Sequence, residues 1–112
     1  MVTHIASLQT LADLIDRIAE RRGASPDASY TARLLSEGVP KCAKKYGEEA
    51  VELALAAVLR EPVPIRAEAA DALYHYLVLL EACGLSLTDV LAELSGRMSQ
   101  TGLDEKASRK RP

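Results

Sequence analysis

The 112-residue chain reads as an all-α protein with four main helices and one short one. Three observations predict this class. Apolar residues recur at steps of three and four along most of the chain, and no stretch alternates with the period of two that marks a strand. The core must come from Leu, Ala, Val and Ile, mostly good helix formers, because aromatics are 4% of the chain: four Tyr, no Trp and no Phe. Pro and Gly fall where the periodic runs stop, as helix breakers do. The length suits a single domain. A core this small and aliphatic is expected to be completed by oligomerisation.

The elements follow in order. Ile5, Leu8, Leu11, Leu14, Ile15 and Ile18 keep helical spacing and predict a first helix ending near Arg22–Gly23. Gly23-Ala24-Ser25-Pro26-Asp27 reads as a loop. Ser29 can cap a short helix through Leu35, with Gly38 just beyond its end. Pro40 fits the first turn of the next helix, which runs to about Arg60. Glu61-Pro62-Val63-Pro64 breaks it, and Pro64 suits the start of a long helix through Ala82 that Gly84 stops. Ser86-Leu87-Thr88-Asp89 resembles a capping box opening a last helix to about Met98. The expected domain is residues 1–100, and 101–112 is expected to be a polar, frayed tail.

Composition excludes several classes. Fourteen Lys+Arg oppose sixteen Asp+Glu for a net charge of −2, so a nucleic-acid polymer is not the expected partner. The aromatic poverty argues against a base-stacking platform. No apolar run reaches the roughly 18 residues of a membrane span, and the first twenty residues lack an apolar signal region. Cys42 and Cys83 match no zinc spacing and are expected as free thiols in a reducing cytoplasm.

The chemistry concentrates on two helices. Ala50 to Leu59 is apolar nearly all round, with Glu52 its only polar residue and Glu48 and Glu49 just before it. The helix from Ala67 to Leu80 is also apolar nearly all round, and Glu68, Asp71 and His75 form one stripe on it. A solvated acidic face is the ordinary reading of such clusters. Here the same faces carry large aliphatics, and buried unpaired carboxylates are costly. The short Pro-rich connection makes the helices antiparallel neighbours. Two Glu-x-x-Glu/Asp pairs then meet at similar levels, by the 1.5 Å rise per residue. A set of carboxylates without obligatory nitrogen or sulfur suits Mg²⁺, with Mn²⁺ a possible substitute. A di-iron bundle competes, but it would want Glu-x-x-His on two helices, and Asp71 and His75 are four apart with no second pair.

Lys41, Lys44 and Lys45 lead into the acids on the same helix. They fit either ordinary Lys–Glu pairing or contact with polyphosphate. Gly47 either admits a close approach of backbone or ligand, or marks a kink. His75 reads as a satisfied core residue or as an orienting group for a carboxylate ligand. Tyr74 and Tyr76 read as packing residues.

These residues resemble a known family. Glu48-Glu49-x-x-Glu52 followed by Glu68-x-x-Asp71 is similar to the metal-binding signature of the MazG-like all-α nucleotide pyrophosphohydrolases. Within them, Ser29-Tyr30-Thr31, Leu34-Leu35, Gly38, Lys41, Lys45-x-Gly47, Glu68-Ala69-Ala70-Asp71-x-Leu73-Tyr74-His75 and Gly84-Leu85-Ser86-Leu87 resemble the phosphoribosyl-ATP pyrophosphatase family, over roughly residues 5–98. The resemblance implies a MazG-like helical bundle completed as a homodimer. It also implies Mg²⁺-dependent hydrolysis of phosphoribosyl-ATP to phosphoribosyl-AMP and pyrophosphate, the second step of histidine biosynthesis. The stand-alone form is implied, without a fused cyclohydrolase.

The expected metal ligands are Glu49, Glu52, Glu68 and Asp71. Glu48 is expected as a further ligand or as the catalytic group that positions water. Lys41 and Lys45 would hold the departing pyrophosphate, and the resemblance alone adds Ser29, Tyr30 and Thr31 as substrate contacts. His75 would support the ligands. Two other readings stay open: a house-cleaning enzyme acting on noncanonical nucleoside triphosphates, and a non-catalytic helical dimerisation module whose acids are all exposed or salt-bridged.

Overall fold

The computed structural model describes residues 2–99, with side chains described from residue 6 onward. Its regular structure is entirely helical: α1 (Val2–Glu20), α2 (Tyr30–Glu37), α3 (Val39–Leu59), α4 (Pro62–Ala82) and α5 (Leu87–Met98). The short helix is α2. The tail expected over 101–112 lies outside the described residues.

Local chemistry sets the boundaries. Ser29 caps α2, its Oγ accepting from the Ala32 N–H at 3.0 Å. Gly38 both ends α2 and precedes α3 at φ 87°, a left-handed conformation that strains any side chain. Pro40 falls in the first turn of α3, as its missing N–H allows. Ser86 and Asp89 cap α5 reciprocally: the Asp89 N–H donates to Ser86 Oγ at 3.3 Å, and the Ser86 N–H to Asp89 Oδ2 at 2.9 Å.

The break between α3 and α4 is tighter than the sequence suggests. It consists of Arg60 and Glu61 alone, and α4 starts at Pro62. Both Pro62 and Pro64 fit inside the first turn, because those N–H groups have no partner within a helix. The Ile65 N–H makes an opening bond, to Glu61 O at 3.1 Å. Arg60 closes α3 in the left-handed region, at φ 58°, with its N–H on Ala57 O. So short a connection folds α4 back antiparallel along α3, and these two helices share the most extensive interhelical contact.

The core lies at one end of this hairpin. Ile18 of α1, Leu34 of α2, Cys42 of α3 and Leu77 and Val78 of α4 are buried together. The Cys42 thiol donates to Leu34 O at 3.3 Å, and burial raises its pKa. Both Cys42 and Cys83 are free thiols. The other end of the hairpin runs beyond this core, leaving Val51, Leu55, Val58, Leu59 and Val63 exposed, Val58 to 77%. The radius of gyration of 16.3 Å accordingly exceeds the ~13 Å of a compact domain of this size. Among the described residues no helix is long and apolar enough to cross a membrane.

Arg60 is the strained position of the hairpin. Arg60→Gly is expected to stabilise the chain by about 1 kcal/mol, since glycine carries no Cβ penalty in this conformation. Urea unfolding of the two proteins side by side reads the difference.

Candidate functional site

The hairpin turn decides which acids meet. Glu49 lies eleven residues before Arg60 and Asp71 eleven after it; Glu52 and Glu68 lie eight away on either side. Antiparallel helices pair positions equidistant from their turn, so the two stripes face each other. One carboxylate oxygen from each of Glu49, Glu68 and Asp71 lies within 4.8 Å of the other two. Glu52 is exposed at the rim, against the carboxyls of Glu49 and Glu68.

This arrangement is electrostatically unfavourable without a cation. Burial raises the pKa of Glu49, and Glu52 and Asp71 push it further up, while His75 pulls it down. Burial likewise raises Glu68, with Glu52, Asp71 and Glu49 adding to the rise. Glu68 Oε2 is buried and has no hydrogen-bond partner. An unsatisfied buried carboxylate oxygen costs free energy. A cation at this point would satisfy it, and an all-oxygen donor set suits a hard divalent ion. A non-catalytic module would leave its acids solvated or paired, which Glu68 is not.

Glu48 points elsewhere. It pairs with Lys45 at 3.4 Å, one turn back on α3. Residue 48 is rotated about 100° from 49 on an α-helix, so the two carboxylates leave α3 on different faces. Gly47 lies mid-helix, and a Cβ built there meets nothing within 4 Å. Packing within the chain therefore does not require a glycine at that position.

Beside the seam is a second feature. Tyr30, Arg33, Leu34 and Glu37 of α2, with Lys41 and Lys45 of α3, line a cleft of about 290 Å³. The Arg33 guanidinium stands 5.7 Å from the centre of the Tyr30 ring. Tyr30 is the main influence raising the Lys45 pKa, with Glu48 next. Sequence reasoning found Tyr30, Lys41 and Lys45 but missed Arg33 and Glu37. The signal was present: Tyr30, Arg33 and Glu37 recur at steps of three and four on α2.

His75 joins cleft to seam. It is buried, with Nδ1 2.9 Å from the main-chain oxygen of Asp71. A carbonyl only accepts, so Nδ1 carries the proton and Nε2 is free to accept from the Tyr30 hydroxyl at 3.4 Å. The bond to Asp71 therefore runs through its backbone one turn back, not through its carboxylate. Of the other expected substrate contacts, Ser29 Oγ is occupied as the α2 cap. The Thr31 hydroxyl is hydrogen-bonded to the Tyr74 hydroxyl. Tyr74 packs against Tyr30 at 6.4 Å between ring centroids.

Comparison with known proteins bears on this geometry. The family described as phosphoribosyl-ATP pyrophosphohydrolase matches residues 11–98. The phosphoribosyl-ATP pyrophosphatase of Methylobacterium radiotolerans is 56% identical over 101 residues, 90% of this chain and 94% of that protein. The enzyme of the same name from Ruegeria pomeroyi is 49% identical over 102 residues, covering 91% and 97%. That from Agrobacterium fabrum is 50% identical over 103 residues, covering 92% and 96%.

The raised carboxyls give a pH signature. A carboxyl with a higher pKa folded than unfolded adds stability below the ordinary carboxylate range and loses it as pH rises through the raised value. The metal-free chain is expected to lose stability in that window on account of Glu49 and Glu68. Glu68→Gln is expected to flatten the slope and to raise the Tm at neutral pH. Melts across pH in a chelating buffer compare the two, and a Glu68→Gln protein less stable than the parent at pH 7 contradicts the assignment.

Proposed function

The chain belongs to the phosphoribosyl-ATP pyrophosphohydrolase family, and we propose on that premise that it hydrolyses phosphoribosyl-ATP to phosphoribosyl-AMP and pyrophosphate, the second step of histidine biosynthesis, with Mg²⁺ held by Glu49, Glu68 and Asp71. The observation that carries the reading is the buried, unpartnered Glu68 Oε2 inside a group of three converging carboxylates. When bound, Mg²⁺ or Mn²⁺ would supply Lewis acidity toward phosphate oxygens.

The chain's own residues do the rest. In this reading Glu52, exposed beside Glu49 and Glu68, adds a further ligand. Glu48 faces Lys45, so in this reading it holds that ammonium beside the acids rather than joining them. Lys45 then meets the departing pyrophosphate, whose charge an ammonium stabilises as it develops. Tyr30, oriented by His75, walls the site on the α2 side. Water attacks the α-phosphorus, and the bond to the bridging oxygen of pyrophosphate breaks. The cytoplasm suits an enzyme with two free thiols.

We place a second copy of the chain on the exposed apolar end of the hairpin. Val51, Leu55, Val58 and Leu59 of α3 and Val63 of α4 are exposed there. Apolar clusters of this kind on a soluble chain mark interaction surfaces. An isologous dimer buries the same patch of both copies.

Two outcomes follow. Glu68→Gln and Asp71→Asn are each expected to lower kcat for pyrophosphate release from phosphoribosyl-ATP by about 100-fold or more, from several kcal/mol of lost Lewis-acid stabilisation. Near-normal turnover with Mg²⁺ present sinks the site, and faster turnover of dNTPs than of phosphoribosyl-ATP by the parent protein sinks the substrate. In sedimentation velocity the chain is expected to run as a dimer and Leu55→Lys as a monomer; an unchanged dimer puts the interface elsewhere.

A further inference from the structure

The cleft beside the acids gathers three cationic groups from two helices. Arg33, Lys41 and Lys45 line it with one carboxylate, Glu37. Lys45 is paired with Glu48, whereas among the described residues neither Arg33 nor Lys41 has an ion-pair partner. Arg33 is held instead over the Tyr30 ring. Unpaired cations gathered around a concave surface are suited to an anion.

We infer that Arg33 and Lys41 bind the substrate's second, non-reacting phosphate, the one on its phosphoribosyl group. The inference rests on the substrate reading above and deepens it. Its first support is position along α3. Lys45 lies four residues before Glu49 and Lys41 eight, or about 6 and 12 Å along the axis. A pyrophosphate bonded directly to the reacting phosphorus reaches the level of Lys45. Lys41 stands a full turn further out, and Arg33 reaches the same cleft from α2. The phosphoribosyl phosphate is separated from the reacting phosphorus by two riboses and a base, which fits that more distant level.

The second support is Glu37. A cleft built for phosphate alone is weakened by a carboxylate, which repels it. A ribosyl phosphate brings hydroxyls that a carboxylate accepts hydrogen bonds from, as acidic residues do in other ribose sites. Tyr30 adds a phenolic hydroxyl, fixed by His75 Nε2 on the side of the acids. Arg33 offers a planar fork that takes two phosphate oxygens at once. The cleft therefore distinguishes phosphoribosyl-ATP from a plain nucleoside triphosphate by gripping the group that only the former has.

The product phosphoribosyl-AMP tests this directly, because it keeps the phosphoribosyl phosphate and has lost the pyrophosphate. Affinity for phosphoribosyl-AMP, AMP and inorganic pyrophosphate is measured by calorimetry on the Mg²⁺-loaded protein, beside KM for phosphoribosyl-ATP. Arg33→Ala is expected to weaken phosphoribosyl-AMP binding about 10- to 100-fold, the effect of one lost charge-assisted bond. It is expected to raise KM similarly and to leave AMP and pyrophosphate unchanged. Arg33→Lys, which keeps the charge and the exposed position, is expected to fall between. An equal loss for pyrophosphate, or unchanged phosphoribosyl-AMP affinity in Arg33→Ala, overturns the assignment. Failure of the parent protein to release pyrophosphate from phosphoribosyl-ATP instead overturns the substrate reading, so the two failures are told apart.

Discussion

Everything at this site depends on mutual repulsion that the backbone enforces. A two-residue turn fixes α3 against α4, with Glu49 opposite Asp71 and Glu52 opposite Glu68 at matching distances from the bend. Once the helices zip together on their aliphatic faces, the carboxyls cannot separate without unpacking the hairpin. Burying the surrounding Ala and Leu residues contributes roughly 25 cal/mol per Å² of apolar area. That gain comes chiefly from Cys42 and Ala56 of α3 and Ala72, Leu77 and Val78 of α4, which are buried and hold the crowded carboxyls in place. The acids are thus pre-assembled before any cation arrives, and little chain entropy remains to be lost on binding.

Preassembly extends beyond the acids. His75 donates to the main chain of Asp71 and accepts from Tyr30, so one imidazole spans from α4 to α2. Through it, the orientation of the cleft is tied to the orientation of the seam. Tyr74, stacked on Tyr30 and bonded to Thr31, fastens the same two helices a second time. These contacts explain the placement of Tyr30 and Tyr74 in a chain otherwise so poor in aromatics. They sit where a polar tip and a flat apolar body are both used.

The parts of this arrangement that a single helix determines were readable from the sequence. Spacing of three placed Glu49 with Glu52 and Glu68 with Asp71, and the short connection implied that the pairs meet. Caps at Ser29, Gly38 and Ser86 announced the ends of α2 and the start of α5. What the sequence left open depends on how one helix is rotated against another. Glu48 and Glu49 are neighbours in the chain, yet only Glu49 turns into the seam, because packing selects the face. Arg33 and Glu37 share a face with Tyr30, but that face gains meaning only once Gly38 redirects the chain and sets α2 beside Lys41 and Lys45. Pro64 looked like the start of α4 because a helix tolerates proline at its beginning; so it does, for a whole turn, and Pro62 was therefore available too.

The free chain is left with two unfavourable features, and they lie close together along the hairpin. One is the crowded acids with their unpartnered oxygen. The other is the exposed row from Val51 to Val63. Both arise on the same two helices, because helices apolar on nearly every side leave few solvated faces for charge. A second copy covering the row would also stiffen the hairpin that holds the acids together. A stiffer hairpin lowers their freedom to spread apart and so sharpens their affinity for a cation. Association and metal binding would then reinforce each other through shared backbone, with positive coupling in both directions as linkage demands.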